Sequence, residues 1–390
     1  MSEYELIAPC HFGMEAVLKK EISRLGYEIS QVDNGKVTFL GDAGAIARAN
    51  IFLRTTERIL IKIKSFHAET FDELFEGIKA LPWEQFLPED AKFWVAKANS
   101  VNSKLFSPSD IQKIVKKAMV ERMKGKYKTE WFPETGVAYP LRISILKDEV
   151  TIGFDTSGVS LHKRGYRKFT APAPVTETLA AALILLTPWN RHRILVDPFC
   201  GSGTIPIEAA LIAANIAPGL NREFIAEGWT NFLPKDIWKQ AREEARSIII
   251  EKPEEILIQG YDIDNSVLKM ARENAKLAGV NDWIHFQERD VKDFHSPKKY
   301  GFVISNPPYG ERLSTRDEMK ELYRTIGEVM NRDNTWSYYF LSGFEDAQKS
   351  IGKKASKNRK IYNGMMKTYF YQYIGAKPPR REEKKDGEIQ

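Results

Sequence analysis

The stretch Asn306-Pro307-Pro308-Tyr309 combines residue types that could hold a planar base by its amino group. It follows the apolar run 302–304, which predicts a buried strand. Proline donates no backbone hydrogen bond, so the strand must end here and leave the asparagine side chain at its carboxyl end. Acceptor oxygens beside an aromatic ring would suit an exocyclic amine. The alternative is a rigid turn with a packed tyrosine, and the tetrapeptide alone leaves both readings open.

A second motif places an acid and several glycines at the end of another predicted strand. Strand 193–198 contains Asp197, and the loop 200–203 (CGSG) opens a predicted helix over 204–215. Glycines let the backbone approach a ligand closely, and a helix amino terminus offers unpaired N–H groups. A dinucleotide fingerprint fits poorly because no third glycine follows at the required spacing, and the lysine of a P-loop is missing. An acid at the strand end favours a cationic ligand over a pyrophosphate.

Two further acids close later predicted strands. Asp262 ends strand 256–262 and could accept hydrogen bonds from both hydroxyls of a ribose. Asp290 follows strand 284–289 and could accept one from an adenine amine. Each alone is more often a helix cap, which is the role predicted for Asp264. The carboxyl ends of parallel strands share one edge of a sheet, so these acids, the glycine loop and the asparagine are expected in one site.

These motifs resemble those of a known family. DPFCGSG, GYDID and NPPYGER make residues 190–375 similar to class I S-adenosylmethionine-dependent methyltransferases of the amino-methylating branch. With LHKRGYR before them, nearly the whole chain resembles the bacterial THUMP-domain methyltransferases that modify large-subunit ribosomal RNA at guanine N2 (the RlmL/YpsC-like group). An older label for such proteins is N6-adenine-specific DNA methylase. The resemblance implies an RNA methyltransferase with S-adenosylmethionine as cofactor and 23S rRNA as partner.

The resemblance also implies roles for individual residues. The cofactor set is Asp197, Phe199, Gly201, Gly203, Thr204, Asp262, Ile263 and Asp290. The catalytic set is Asn306, Pro307, Pro308 and Tyr309. Within it, the asparagine oxygen and the Pro307 carbonyl would accept from the amine, while the base, taken out of its stack, would lie against the tyrosine. Arg312 would hold a phosphate, and Cys200 is expected to be structural. Positioning would supply the rate without a strong general base.

The spacing of apolar residues predicts the elements that hold these residues. Before residue 165 it predicts two small α+β units, including a hairpin over 27–40 that turns at Asn34-Gly35. Beyond it, alternating helices and strands predict a Rossmann-like doubly wound sheet with an antiparallel edge hairpin, interrupted by a charged insertion at 218–255. The expected domains are an N-terminal ferredoxin-like subdomain (1–55), a THUMP RNA-binding domain (56–165), a linker and lead-in helix (166–189), the methyltransferase domain (190–375) and a disordered tail (376–390).

Two basic clusters in the first half favour a nucleic-acid partner. The predicted helix 108–124 carries many lysines on one face, and the stretch 161–169 interleaves cations with aromatic residues. A solvated face is the alternative for a single helix. The cations assigned to RNA binding are Lys113, Lys116, Lys117, Lys124, Lys163, Arg164 and Arg167, with Arg312 added by the resemblance.

Composition limits the possible classes of protein. The 390 residues carry a net charge of +6, which permits a polyanionic partner without requiring one. Two cysteines are too few for a disulfide framework, and the six histidines show no metal-ligand spacing. With no signal peptide and no long apolar run, we expect a soluble, cytoplasmic protein without a metal or a membrane partner, and we favour a monomer.

Three rival functions remain at this stage. The tetrapeptide reports an amine without saying which one, so adenine N6 in DNA or RNA is the nearest alternative. A catalytically silent RNA-binding or ribosome assembly factor is another, although the intact Asn306 and Tyr309 argue against it. Methylation of a protein glutamine amide would leave the basic first half unexplained.

Overall fold

A computed structural model describes residues 3–169, 175–309, 315–364 and 366–379. The elements of the first part are β1 (Tyr4–Pro9), α1 (Glu15–Arg24), β2 (Glu28–Asp33), β3 (Lys36–Gly41), α2 (Ala43–Phe52), β4 (Leu60–His67), α3 (Phe71–Lys79), β5 (Lys92–Val101), α4 (Pro108–Tyr127), β6 (Ala138–Leu146) and β7 (Glu149–Asp155). Those of the second part are α5 (Glu177–Leu185), β8 (Leu195–Asp197), α6 (Thr204–Ala213), α7 (Ile237–Ser247), β9 (Ile258–Asp262), α8 (Asn265–Leu277), β10 (Ile284–Glu288), β11 (Phe302–Ser305), α9 (Arg316–Met330), β12 (Ser337–Ser342), α10 (Ala347–Ile351), β13 (Lys357–Asn363) and β14 (Met366–Tyr373).

The first seven strands form a single sheet in the order β2-β3-β1-β4-β7-β6-β5. All neighbours are antiparallel except β5 and β6. The predicted hairpin is present, with Gly35 in the left-handed conformation that its turn requires. Strands β4 and β7 pair along their length, with Leu60 opposite Asp155. The two α+β units expected from the sequence therefore share one continuous sheet.

The charged insertion packs within this first unit. Residues 1–165, 177–182 and 215–250 form one compact body. Arg48 on α2 donates hydrogen bonds to both carboxylate oxygens of Glu244 on α7, each at 2.8 Å. Trp229 is fully buried and stacks on Tyr139 with ring centroids 5.1 Å apart. The predicted span 190–375 thus contains a segment that folds with the first unit, and the exact domain boundaries stay a prediction.

The second unit contains residues 166–176, 183–214 and 251–390. Its sheet has the order β10-β9-β8-β11-β12-β14-β13, with five parallel strands followed by an antiparallel hairpin. This confirms the predicted doubly wound sheet and its antiparallel edge. The strand order reverses between β8 and β11, and ligands of such sheets bind at the carboxyl ends beside that reversal.

Within the described parts of the chain, no helix has the length and apolarity needed to cross a bilayer.

Candidate active site

A cavity of about 440 Å³ opens at the carboxyl ends of β8, β9 and β11 and beside the residues that follow β10. Its size lies within the range usual for small-ligand sites, roughly 300–1,000 Å³. All the predicted cofactor and catalytic residues line it except Gly203, Pro307 and Tyr309. The structure therefore brings one strand-end cluster together, as the spacing of the motifs predicts.

Asp197 is the most buried acid of the cavity, with 2% of its surface exposed. Its Oδ1 accepts hydrogen bonds from the Phe199 amide, at 3.1 Å, and from the Ser305 hydroxyl. Burial, reinforced by the neighbouring Asp262 carboxylate, raises the pKa of Asp197 to about 7 despite these hydrogen bonds. Ser305 immediately precedes Asn306, so one hydrogen bond joins the ends of β8 and β11.

The glycine loop between β8 and α6 has room for glycine alone at Gly203. This residue has a φ of +86° and is the N-cap of α6. A Cβ atom there would lie 3.0 Å from the Cβ of Ala271 on α8. Gly203 therefore sets the path of the loop without lining the cavity, whereas Thr204 and Ile205, at the start of the helix, do line it.

Asp262 is held by two backbone donors. Its Oδ2 accepts from the Gly201 amide at 3.0 Å and its Oδ1 from the Asp264 amide at 3.1 Å. Burial raises the pKa of this carboxyl. Asp264 caps α8 through the Ser266 amide at 2.8 Å, as predicted. Between them, Ile263 lines the cavity with 70% of its surface exposed, which is an unusual position for isoleucine and leaves an apolar face for a ligand.

Asp290 lines the cavity from the segment after β10. It caps a short 3₁₀ turn by accepting from the Lys292 amide at 3.0 Å, and it forms an ion pair with the Lys292 ammonium at 3.1 Å. The capping role, which the sequence left open, is thus present alongside the position predicted for a ligand contact.

Asn306 carries a buried acceptor oxygen that no described residue satisfies. The residue is 8% exposed and lines the cavity. Among the described residues, its buried Oδ1 has no hydrogen-bond partner. A buried amide oxygen without a partner costs about 1–3 kcal/mol, so such an atom is retained where a ligand satisfies it.

Tyr309 differs from its predicted arrangement. Its ring is only 4% exposed and packs in the apolar core rather than in the cavity wall. The Asn363 amide donates to its hydroxyl at 3.3 Å. A base could stack on this ring only after the ring has moved, so the stacking role stays a prediction.

Further cavity residues were not found from the sequence. Glu318 and Leu322 lie one turn apart on α9 and line the cavity together. Their i, i+4 spacing at the start of a helix was the only available signal, and it is common to most amphipathic helices. Cys200 is buried at 6% exposure, and burial raises its thiol pKa well above the usual value, which agrees with the expected structural role.

The predicted RNA-binding cations on α4 have mixed surroundings. Lys113 and Lys117 are exposed. Lys116 instead lies 3.5 Å from the centre of the Phe93 ring and pairs with Glu134. Lys124 pairs with Glu130 at 3.0 Å.

The second basic cluster needs one correction. Arg164 is 8% exposed and donates to the backbone carbonyls of Leu161 and Arg54 at 2.6 and 2.5 Å, so its assignment to RNA binding is wrong. Its guanidinium is a structural donor that is closed to a phosphate. Lys163 is exposed, whereas Arg167 donates to the Val175 carbonyl at 2.7 Å. Arg312 lies outside the described residues.

The decisive comparison covers most of the second half of the chain. Residues 164–372 match the family described as UPF0020, RMKL-like methyltransferase domain. The chain belongs to this methyltransferase family. The preceding residues match the RlmL ferredoxin-like domain (5–60) and the THUMP domain (68–155), which confirms the resemblance given above.

Individual proteins that are similar to this chain agree with the family match. The chain is 48% identical to the putative RNA methyltransferase YpsC of Bacillus subtilis, over 98% of this chain and 99% of that protein. It is 35% identical to the ribosomal RNA large subunit methyltransferase K/L of Syntrophotalea carbinolica, over 91% of this chain but only about half (51%) of that protein. The crystal structure of SMU.472, a putative methyltransferase complexed with SAH, has a TM-score of 0.90 with this chain. The two are 41% identical over 97% of this chain and 100% of that one.

Proposed function

We propose that the protein transfers a methyl group from S-adenosylmethionine to the exocyclic amine of a base in RNA, with guanine N2 of 23S rRNA as the target. The observation that carries this proposal is the unpaired Oδ1 of Asn306 in a cavity lined by carboxylates. An exocyclic amine is a donor that this oxygen can accept.

The carboxylates of the cavity and the backbone path of its glycine loop both suit S-adenosylmethionine. When bound, this cofactor supplies an electrophilic methyl group on a positively charged sulfur. The carboxylates of Asp197, Asp262 and Asp290 complement its positive charges and its hydroxyl and amino donors. Gly203 keeps the loop beside the cavity in a path closed to larger residues. A relative that is 41% identical over 97% of this chain is a complex with SAH, the demethylated form of the same cofactor.

Asn306 acts on the target amine by position and polarity. Its Oδ1 accepts a hydrogen bond from the amine, and the Pro307 carbonyl is assigned the second acceptor. Two acceptors draw the amine protons into the plane of the oxygens and leave the nitrogen lone pair free to attack. Because the proton is lost to solvent after transfer, no strong base is needed. The mechanism therefore asks for preorganised acceptors, and the buried end of β11 provides one.

RNA is supported as substrate class by the first unit. Residues 68–155 match the THUMP domain, and the relatives above are named for RNA and for large-subunit ribosomal RNA. The assignment to 23S rRNA and to guanine N2 rests on two observations. One is the similarity to ribosomal RNA methyltransferases K/L, of which this chain spans about half the length, and the other is the resemblance of the motifs. A ribosomal substrate also favours a cytoplasmic location.

Tritium counting tests this proposal. The protein is incubated with S-[methyl-³H]adenosylmethionine and either deproteinised 23S rRNA lacking the modification or DNA of matched length. We expect label in the rRNA, recovered as N2-methylguanosine after digestion. Label in DNA alone would contradict the RNA assignment, and label in N6-methyladenosine would replace guanine by adenine as the target.

A further inference from the structure

The stretch from α10 through the strand hairpin at the edge of the second sheet has an excess of positive charge. Residues 347–374 contain seven cations and no acid: Lys349, Lys353, Lys354, Lys357, Arg359, Lys360 and Lys367. Among the described residues, no carboxylate forms an ion pair with the six lysines of this set. The α4 cations are different, since Arg122 and Lys124 both lie within 4 Å of carboxylates. Glu345 and Asp346, just before this stretch, act electrostatically on Lys367 and Lys349, and the remaining excess of positive charge favours a polyanionic partner.

Lysines and tyrosines alternate on one face of this hairpin. In the register of β13 and β14, Lys360 lies opposite Tyr369 and Tyr362 lies opposite Lys367, so the four side chains share a face. The Lys360 ammonium lies 5.0 Å from the centre of the Tyr362 ring, and the Lys367 ammonium lies 5.3 Å from that of Tyr369. Both lysines are exposed and both rings are half-buried. We call these four residues the Lys–Tyr cluster.

This chemistry suits single-stranded RNA. Ammonium groups pair with phosphates, while ring faces stack with bases of any sequence. A protein surface would need acidic groups to meet the lysines and offers no comparable repeat of stacking partners. The edge strand β13 is also kept from pairing with another chain by its lysines.

The tip of the hairpin contacts the catalytic tetrapeptide. Asn363, the last residue of β13, donates to the Tyr309 hydroxyl at 3.3 Å. Met366, the first residue of β14, and the Tyr309 ring both lie beside Gly343: a Cβ on that glycine would lie 3.2 Å from the Met366 sulfur and 3.0 Å from the ring. In the strand register, Asn363 and Met366 lie on the face opposite the Lys–Tyr cluster, so RNA held by the cluster would reach the tetrapeptide around the tip of the hairpin.

We propose that the β13–β14 hairpin is an RNA-binding element of the methyltransferase unit, and that its Lys–Tyr cluster holds the single strand beside the target nucleotide. This inference rests on the proposed function, because it requires an RNA substrate. It adds a second RNA contact to the one that the basic first half was expected to make.

The test compares charge-neutral variants of two lysine pairs. Lys360→Gln with Lys367→Gln removes the cluster's charges, and Lys269→Gln with Lys276→Gln removes two exposed charges from α8, at the opposite edge of the same sheet. Binding of deproteinised 23S rRNA from a strain lacking the gene is measured by filter retention from low to high salt. We expect the hairpin variant to lose roughly tenfold in affinity at about 0.1 M salt and to lower the salt slope by about 1–2 units. The α8 variant should match the wild type.

Binding of S-adenosylhomocysteine, measured by calorimetry, checks that both variants are folded and should be unchanged. The inference would be overturned if the hairpin variant binds rRNA with the wild-type affinity and salt slope. If the wild type methylates rRNA in the same experiment, the proposed function is unaffected by that result. A wild type that neither binds nor methylates rRNA would overturn the proposed function, and the hairpin inference with it. Replacing Tyr362 by Phe should preserve affinity and replacing it by Ala should lower it, because stacking needs the ring and not its hydroxyl.

Discussion

At the scale of single residues, the proposed chemistry depends on one atom of Asn306, its Oδ1, which has no partner among the described residues. Asn306→Ala removes the acceptor, so we expect the rate of methyl transfer into 23S rRNA at saturating substrates to fall by about 10²–10³ or more. Asn306→Asp keeps an acceptor oxygen at the same place and should retain more activity than the alanine variant. Both should bind S-adenosylhomocysteine, which separates loss of chemistry from loss of folding. Unchanged transfer by the alanine variant would remove Asn306 from the mechanism.

Asp197 makes a second prediction, which concerns pH. Its pKa is raised to about 7, so between the ordinary aspartate value and 7 the folded protein holds a proton that the unfolded chain has released. The free energy of unfolding therefore falls as pH rises through this window and then levels off. Asp197→Asn abolishes the ionisation. Without ligand, it should be more stable than the wild type at pH 8, by up to roughly 4 kcal/mol, and equal to it near pH 4.

Urea denaturation at both pH values measures this difference for Asp197. A stability gap that is the same at pH 4 and pH 8 would show that the carboxyl is ionised throughout. The same variant should lose affinity for S-adenosylmethionine, because an acid kept at a cost in stability is typical of a ligand site.

At the scale of elements, the turn from β8 into α6 fixes the position of the site. Gly203→Ala introduces both a left-handed backbone strain and a contact at 3.0 Å with Ala271. Gly279→Ala is a matched control, since Gly279 also has a positive φ, of +71°, but nothing lies within 4 Å of its would-be Cβ. We expect the control to cost about 1–2 kcal/mol and Gly203→Ala to cost more, with loss of cofactor binding in Gly203→Ala alone. Equal costs, measured by urea denaturation, would mean that the loop can shift away from α8.

The sequence was most informative about these elements where a local signal exists. The Asn34-Gly35 turn, the acids at the ends of β8 and β9 and after β10, and the glycines before α6 are all readable within a few residues, and the structure has them where they were expected. Burial of single side chains was not readable in this way. Arg164 looks like a phosphate ligand beside Lys163, yet its partners include a carbonyl 110 residues away in the sequence. The Tyr309 ring is likewise buried by residues that follow it at long range.

At the scale of the whole molecule, one segment packs with a different unit from the one that its place in the sequence suggests. Residues 215–250 follow the first βα step of the methyltransferase sheet in sequence, but they pack with the ferredoxin-like and THUMP segments. The ion pair between Arg48 and Glu244 spans 196 residues, and no periodicity in either helix indicates its partner. Composition and motif spacing can predict that such a helix is amphipathic, but the surface it covers depends on tertiary contacts.

The identity of the methylated nucleotide is the most direct test of the proposed function. Mass mapping of 23S rRNA from a strain lacking the gene, and from the same strain carrying the wild type or Asn306→Ala, identifies it directly. We predict that one N2-methylguanosine is absent from the deletion strain, returns with the wild-type gene and stays absent with Asn306→Ala. If the deletion strain has the same set of N2-methylguanosines as the wild type, the proposed function is contradicted. It is also contradicted if Asn306→Ala restores the missing N2-methylguanosine.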